Sequence, residues 1–302
     1  MGKRRRVAQS VQPRKPARQP SRSNSSSAAG KAQKPGSASA TTAKQQQKAG
    51  PAPQQHAEPM IPFSPEDKIL LVGDGDLSFG ASLVEHHYCA DVTATVLEKS
   101  PEELAEKYPQ APENIAKIEA EGGCRVLFGV DGTTMKPFTD NKKKGKEGGG
   151  GGVGVMDRII FNFPHVGGKS TDVNRQVRYN QELLVAFFGR ALLSLAPGGS
   201  IIVTLFEGEP YTLWNIRDLA RHSGLQVERS FRFQASAYPG YHHARTLGVV
   251  RNKNGEIGGG WRGEDRAARS YVFVRRDDEP RLTAQKGKKR TRAQDSDSSD
   301  GD

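Results

Sequence analysis

The sequence predicts an α/β fold: a doubly wound, mostly parallel sheet with helices on both faces, an antiparallel hairpin at one edge, and disordered tails. Three observations predict it. Short apolar runs alternate with longer amphipathic segments, the pattern of strand–helix–strand units that bury a parallel sheet between two helical layers. The strand runs are continuous rather than alternating, as in KILLVG at 68–73, which a strand covered on both faces requires. The charge is also unevenly spread. Residues 1–60 hold 12 Lys and Arg against one acid, whereas 61–280 hold 27 against 29 Asp and Glu. The net charge of +11 therefore belongs to the tails, and the low apolar content of 34%, against about 45–50% in ordinary domains, reflects their dilution of a nearly neutral domain.

The elements follow in order. Strand one at 68–73 runs into a glycine-rich turn and a helix over 77–87. VTATVLE at 92–98 is strand two, a helical pattern covers 100–121, and CRVLFGVD at 124–131 is strand three. DRIIFNFP at 157–164 is strand four. A helix over 176–196 then stops at Pro197-Gly198-Gly199 and feeds strand five, SIIVTLF at 200–206. A helix over 211–223 and strands at 225–233, 246–251 and 270–275 complete one domain over about 61–278. The cationic, glycine-rich stretch 139–154 stands where a crossover helix would lie, and reads as a flexible surface insertion. Residues 1–60 and 279–302 have too few large apolar side chains to offset the entropy of ordering. Their KRRR (3–6) and GKKRTR (287–292) clusters predict a nuclear or nucleolar address.

Several classes are excluded. No apolar run approaches the ~18 residues of a membrane helix, and no apolar stretch follows the basic N-terminus as in a secretory signal. The two cysteines, Cys89 and Cys124, make no disulfide framework and no metal-ligand spacing, and His86-His87 beside Cys89 has no matching pair. No membrane and no metal are expected.

The chemistry concentrates at strand ends. VGDGDLSFG brings Gly73 and Gly75 to a tight turn, followed by Leu77, Ser78 and Phe79 at a helix start with free N–H groups. The turn is acidic, with Asp74 and Asp76, and lacks the lysine of a phosphate loop. Two carboxylates would repel a pyrophosphate but suit a ligand with positive charge and hydroxyls, so S-adenosylmethionine fits better than a dinucleotide. Glu98 closes strand two, 23 residues after Gly75, placed to accept two ribose hydroxyls. Asp131, in GVDGT after strand three, is placed to accept from the adenine amine. At the end of strand four, Asn162 offers an amide, Phe163 a stacking face, Pro164 a rigid exit and His165 a titratable ring. Lys169, Arg175 and Arg178 stand ready for backbone phosphates. The loop at 238–245 adds Tyr241, His243 and Arg245 as base or phosphate contacts.

GDGDLSFGASL, the Glu98 strand end, GVDGT, DRIIFNFPHVGGK and PGYHHARTLG together resemble the eukaryotic large-subunit rRNA (uridine-N3)-methyltransferase family, over about 61–275. The 139–154 insertion is not part of that motif set. The resemblance implies a class I, Rossmann-like enzyme that uses S-adenosylmethionine on ribosomal RNA in the nucleolus. On this reading Asn162 holds a base carbonyl and His165 is the base or the substrate orienter, while alignment for in-line displacement supplies most of the acceleration. Two other readings stay open: a methyltransferase for another RNA base or a protein, and a non-catalytic RNA-binding assembly factor. The NFPH pattern, unlike an NPPY-type motif, argues against an adenine amine.

Overall fold

The computed structural model describes residues 58–140, 152–168, 170–246, 248 and 263–277. Of the tails expected at 1–60 and 279–302, residues 1–57 and all of 279–302 lie outside them. The chain forms β1 (Lys68–Leu71), α1 (Ser78–His87), β2 (Asp91–Thr95), α2 (Pro101–Lys107), α3 (Ala111–Glu119) and β3 (Arg125–Leu127). After β4 (Thr139–Asp140) and β5 (Val153–Gly154) come β6 (Met156–Asn162), α4 (Val173–Ser194), β7 (Leu195–Phe206), α5 (Ile216–His222), β8 (Leu225–Phe233) and β9 (Ala268–Arg275).

Seven strands make one sheet in the order β3-β2-β1-β6-β7-β9-β8. β1, β2, β3, β6 and β7 pair in parallel, and β9 runs antiparallel to both of its neighbours. The edge hairpin is thus present with its last strand innermost: β9 slots between β7 and β8, leaving β8 on the edge. Thr246 and Gly248, in the stretch read as a further strand, belong to none, and the rest of 246–251 lies outside the described residues.

Alternation along each strand divides the core. Ile69, Leu71, Ile160 and Ile202 pack with α1, α2 and α3 through Leu83, Leu104 and Ile118. Leu70, Ile159, Ile201 and Val203 face the other way, onto Leu184, Phe187 and Phe188 of α4 and Trp214. Both faces are therefore buried, which explains the unbroken apolar runs. The helix expected over 100–121 is two helices. Pro109 forces the break, because the residue before a proline is held out of the helical region, and Tyr108 accordingly caps α2 at φ −135°. Between β3 and β6 no helix crosses among the described residues. The ends of the insertion pair instead as a two-stranded ladder, Thr139 opposite Gly154 and Asp140 opposite Val153, and 141–151 lie outside the described residues.

The order of strands reverses at β1, which has β2 on one side and β6 on the other. Such a switch point opens a crevice beyond the carboxyl ends of the strands.

Candidate active site

That crevice is a cleft of about 510 Å³, walled by the ends of β1, β2, β6 and β7 and by the segment 241–246. Its size is in the range of small-molecule sites. Gly73 turns at φ +63°, and a Cβ there would approach Phe161 to 3.1 Å. Gly75 is tighter: a Cβ would meet that of Ala244 at 2.9 Å, so the turn and the 241–246 segment are in direct apposition.

The expected cofactor residues divide into wall and support. Asp74, half-buried on the wall, accepts from the Gly80 N–H at 2.7 Å. Burial and the neighbouring charge of Asp76 push its carboxyl up to about 7. Asp76 is buried and its oxygens are engaged inside the protein: Oδ1 accepts from the Ser78 N–H and hydroxyl, and Oδ2 from the Gln110 amide at 2.8 Å. It caps α1 and holds α3. Leu77, Ser78 and Phe79 stand behind the wall rather than on it. Leu77 is fully buried at φ +66°, and Phe79 packs on Tyr238 at 4.7 Å. The Ser78 hydroxyl accepts from the His242 N–H at 2.9 Å and so ties α1 to the 241–246 segment. Glu98 is buried at the cleft edge, its Oε1 at 2.5 Å from Lys107 Nζ. Asp131 lines the cleft, with Oδ1 closing a turn onto the N–H and hydroxyl of Thr133 at 2.8 and 2.7 Å.

Across the cleft, Asn162, Phe163, Pro164 and His165 all line it. Phe163 adopts φ +51°, an uncommon conformation for a non-glycine residue that costs backbone energy and clusters at functional sites. The turn aims its ring into an aromatic group: Phe206 at 4.5 Å, Phe233 at 5.6 Å and His243 at 4.5 Å edge-on. Phe163 is therefore partly core and partly cleft wall. His165 Nδ1 accepts from the Gly167 N–H at 2.9 Å. The neutral ring then carries its proton on Nε2, which makes Nε2 a donor. Burial lowers the His165 pKa, keeping that neutral form. His243 is pushed down to about 4, chiefly by burial, and its Nδ1 lies 3.1 Å from the Tyr241 hydroxyl. Burial likewise raises Tyr241 well above the usual phenol range, so it stays protonated.

Arg245 lines the cleft, and its carbonyl accepts from the Tyr108 hydroxyl at 2.7 Å. Arg175 and Arg178 are exposed in the first turns of α4, off the cleft wall, and Lys169 lies outside the described residues. Sequence reasoning missed Lys107, Tyr211 and Arg266. Arg266 stands over the rings of Phe206 and Tyr211 at 4.2 and 5.5 Å. Tyr211 precedes β8 in the chain and Arg266 follows it, so their contact is one no local pattern announces. Among the described residues, no group of three or more His, Cys, Asp or Glu could hold a metal, and no helix is long and apolar enough to cross a membrane.

Comparison with known proteins matches the cleft-forming part of the chain. Residues 70–245 match the family model described as BMT5-like, rRNA (uridine-N3-)-methyltransferase. The chain is 30% identical over 256 residues to the 25S rRNA (uridine(2634)-N(3))-methyltransferase of Saccharomyces cerevisiae, covering 71% of this chain and 74% of that protein. It is 32% identical to human ferredoxin-fold anticodon-binding domain-containing protein 1, over 58% of this chain and 27% of that longer protein. A solved structure of M. jannaschii TYW2 in complex with AdoMet aligns at 14% identity over 70% of each chain, with a TM-score of 0.37. The chain belongs to the BMT5-like rRNA (uridine-N3)-methyltransferase family.

Proposed function

We propose that the chain methylates N3 of a uridine in large-subunit ribosomal RNA, using S-adenosylmethionine, and that it does so in the nucleolus. The observation that carries this reading is that one cleft, inside the family match, joins the acidic glycine turn and Glu98 on one side to Asn162–His165 on the other. The basic clusters at 3–6 and 287–292 support the nucleolar address.

The residues present fit the cofactor. Gly73 and Gly75 leave a wall without side chains, Glu98 is a carboxylate at the strand end that suits ribose hydroxyls, and Asp74 supplies negative charge for a cationic ligand. Asp131 would hold the adenine amine. When bound, the cofactor supplies a methyl group on an already activated sulfonium. The protein's part is to bind, align and dry the site. Asn162 holds a base carbonyl. His165 donates from Nε2 to the other, since its Nδ1 is occupied by Gly167; it orients the base rather than taking its proton. Arg175 and Arg178 serve the RNA backbone outside the cleft, and Lys169 is assigned the same phosphate-binding role.

A methyl on N3 blocks the Watson–Crick edge of uracil, so reverse transcription stops there. Ribosomal RNA from cells lacking the protein is expected to lose one stop in the large subunit, regained on re-expression. An unchanged stop pattern would contradict the proposal.

A further inference from the structure

N3 of uracil must lose its proton before it can accept a methyl group, and His165 and His243 of the cleft are poor bases for it, while His242, also on the lining, has its Nδ1 engaged by Glu264. His165 has its Nδ1 lone pair bound to the Gly167 N–H, and the His243 ring is wedged between Phe163 and Phe206 with Nδ1 against Tyr241. The cleft does hold a cation on the same aromatic wall. Resting on the uridine reading, we propose that Arg266 is a catalytic residue: its guanidinium faces the bound uracil and stabilises the N3 anion from which methylation proceeds.

Three features support this assignment. Arg266 lines the cleft with its guanidinium 4.2 Å from the Phe206 ring, and Phe206 packs at 4.5 Å on Phe163 of the strand-four motif. Among the described residues it has no carboxylate partner: Glu207, whose N–H donates to the Ala267 carbonyl at 2.8 Å, pairs with Arg269 at 2.8 Å. Its charge is therefore available to a ligand. Its position is also prearranged, which is what makes a charge effective in a transition state. The turn Gly263–Asp265 that precedes it is clamped to the cleft loop, since Glu264 Oε1 accepts from the His243 N–H at 2.6 Å and also bonds His242 Nδ1. Gly263 packs so closely on His243 that a Cβ would overlap the ring. The Arg266 N–H closes the turn on the Gly263 carbonyl at 3.1 Å.

The balance is simple. The N3–H bond breaks with its proton passing to water, the N3 lone pair forms the bond to the methyl carbon, and sulfur keeps the pair of the broken C–S bond as a neutral thioether. Arg266 stays protonated throughout, so one proton is released per turnover. The groups facing Arg266 are the His243 ring, neutral near pH 7 and coupled to it, the uncharged Tyr211 and Phe206 rings, and Glu264 at the base of the turn.

The test uses the full chain and an RNA oligonucleotide with 5-fluorouridine at the target, whose ¹⁹F shift reports N3 ionisation. Bound to wild type with S-adenosylhomocysteine, N3 is expected to ionise about one pKa unit or more below its value in Arg266→Met, with Arg266→Lys between. On normal RNA, Arg266→Met is expected to turn over about tenfold or more slowly at pH 7, the gap narrowing as pH rises. An equal bound pKa in wild type and Arg266→Met would overturn the assignment, as would a pH-independent rate loss. Wild type that makes no 3-methyluridine on normal RNA would instead remove the function on which it rests.

Discussion

Lys107 Nζ lies 2.5 Å from Glu98 Oε1, so the carboxylate proposed to hold the ribose is paired with a cation of the protein itself. The pair is mostly shielded, with the Glu98 side chain 8% and the Lys107 side chain 29% exposed. Removing Lys107 leaves a shielded carboxylate without its counter-charge. Lys107→Met is therefore expected to lose about 1–3 kcal/mol of stability. Because ligand hydroxyls would then take over the carboxylate, S-adenosylmethionine should raise the melting temperature of the variant by more than that of wild type. Differential scanning fluorimetry with and without the cofactor reads both effects.

Asp74 predicts opposite pH trends for stability and binding. Its carboxyl is raised to about 7 by burial and by Asp76, from an unfolded value near 3.8. Its protonated form is thus favoured by folding. That stabilising contribution is present in full below the unfolded pKa and is lost as pH rises through 7. A cationic ligand prefers the ionised form, so affinity should rise across the same window. Subtracting Asp74→Asn from wild type, in both thermal unfolding and calorimetric titration at pH 6, 7 and 8, isolates the two slopes. Parallel curves for the two proteins would show that Asp74 does not face the ligand.

If His165 acts as an Nε2 donor, a neutral amide can replace it in part. His165→Ala is expected to lower turnover about 100-fold, with RNA affinity much less affected, while His165→Gln recovers a measurable share. A side chain acting as base would give two equally inactive variants. Single-turnover rates with RNA in excess separate these cases from a loss of binding.

Gly75→Ala places a Cβ 2.9 Å from that of Ala244. Neither atom is the end of a flexible chain, so the 241–246 segment must shift, at a cost of about 1–3 kcal/mol. Cofactor affinity should fall with it, since the turn and the segment form one wall. Unchanged stability and affinity would mean the two do not pack in solution as described.

The sheet was legible because both of its faces are buried: KILLVG and SIIVTLF needed no partner information to be read as strands. The cleft residues were legible from the same strands, since Asn162 ends β6 and Gly73, Glu98 and Asp131 follow two to four residues after β1, β2 and β3. The turn after Gly75 was less so. Leu77, Ser78 and Phe79 look like ligand contacts in sequence, yet the αL kink at Leu77 turns them into the core. The place of β9 between β7 and β8 comes from long-range pairing, Val203 with Tyr271 and Val227 with Phe273, that no local pattern encodes. Arg266 was hidden for the same reason. The break at Pro109 was readable, but the apolar spacing on either side masks it.

The most direct measurement incubates purified wild-type chain, and separately Glu98→Ala, with labelled S-adenosylmethionine and unmodified large-subunit ribosomal RNA, followed by nucleoside digestion and mass spectrometry. Label is expected in 3-methyluridine with wild type and almost none with Glu98→Ala. Label in another nucleoside, or equal incorporation by the two proteins, would contradict the proposed function.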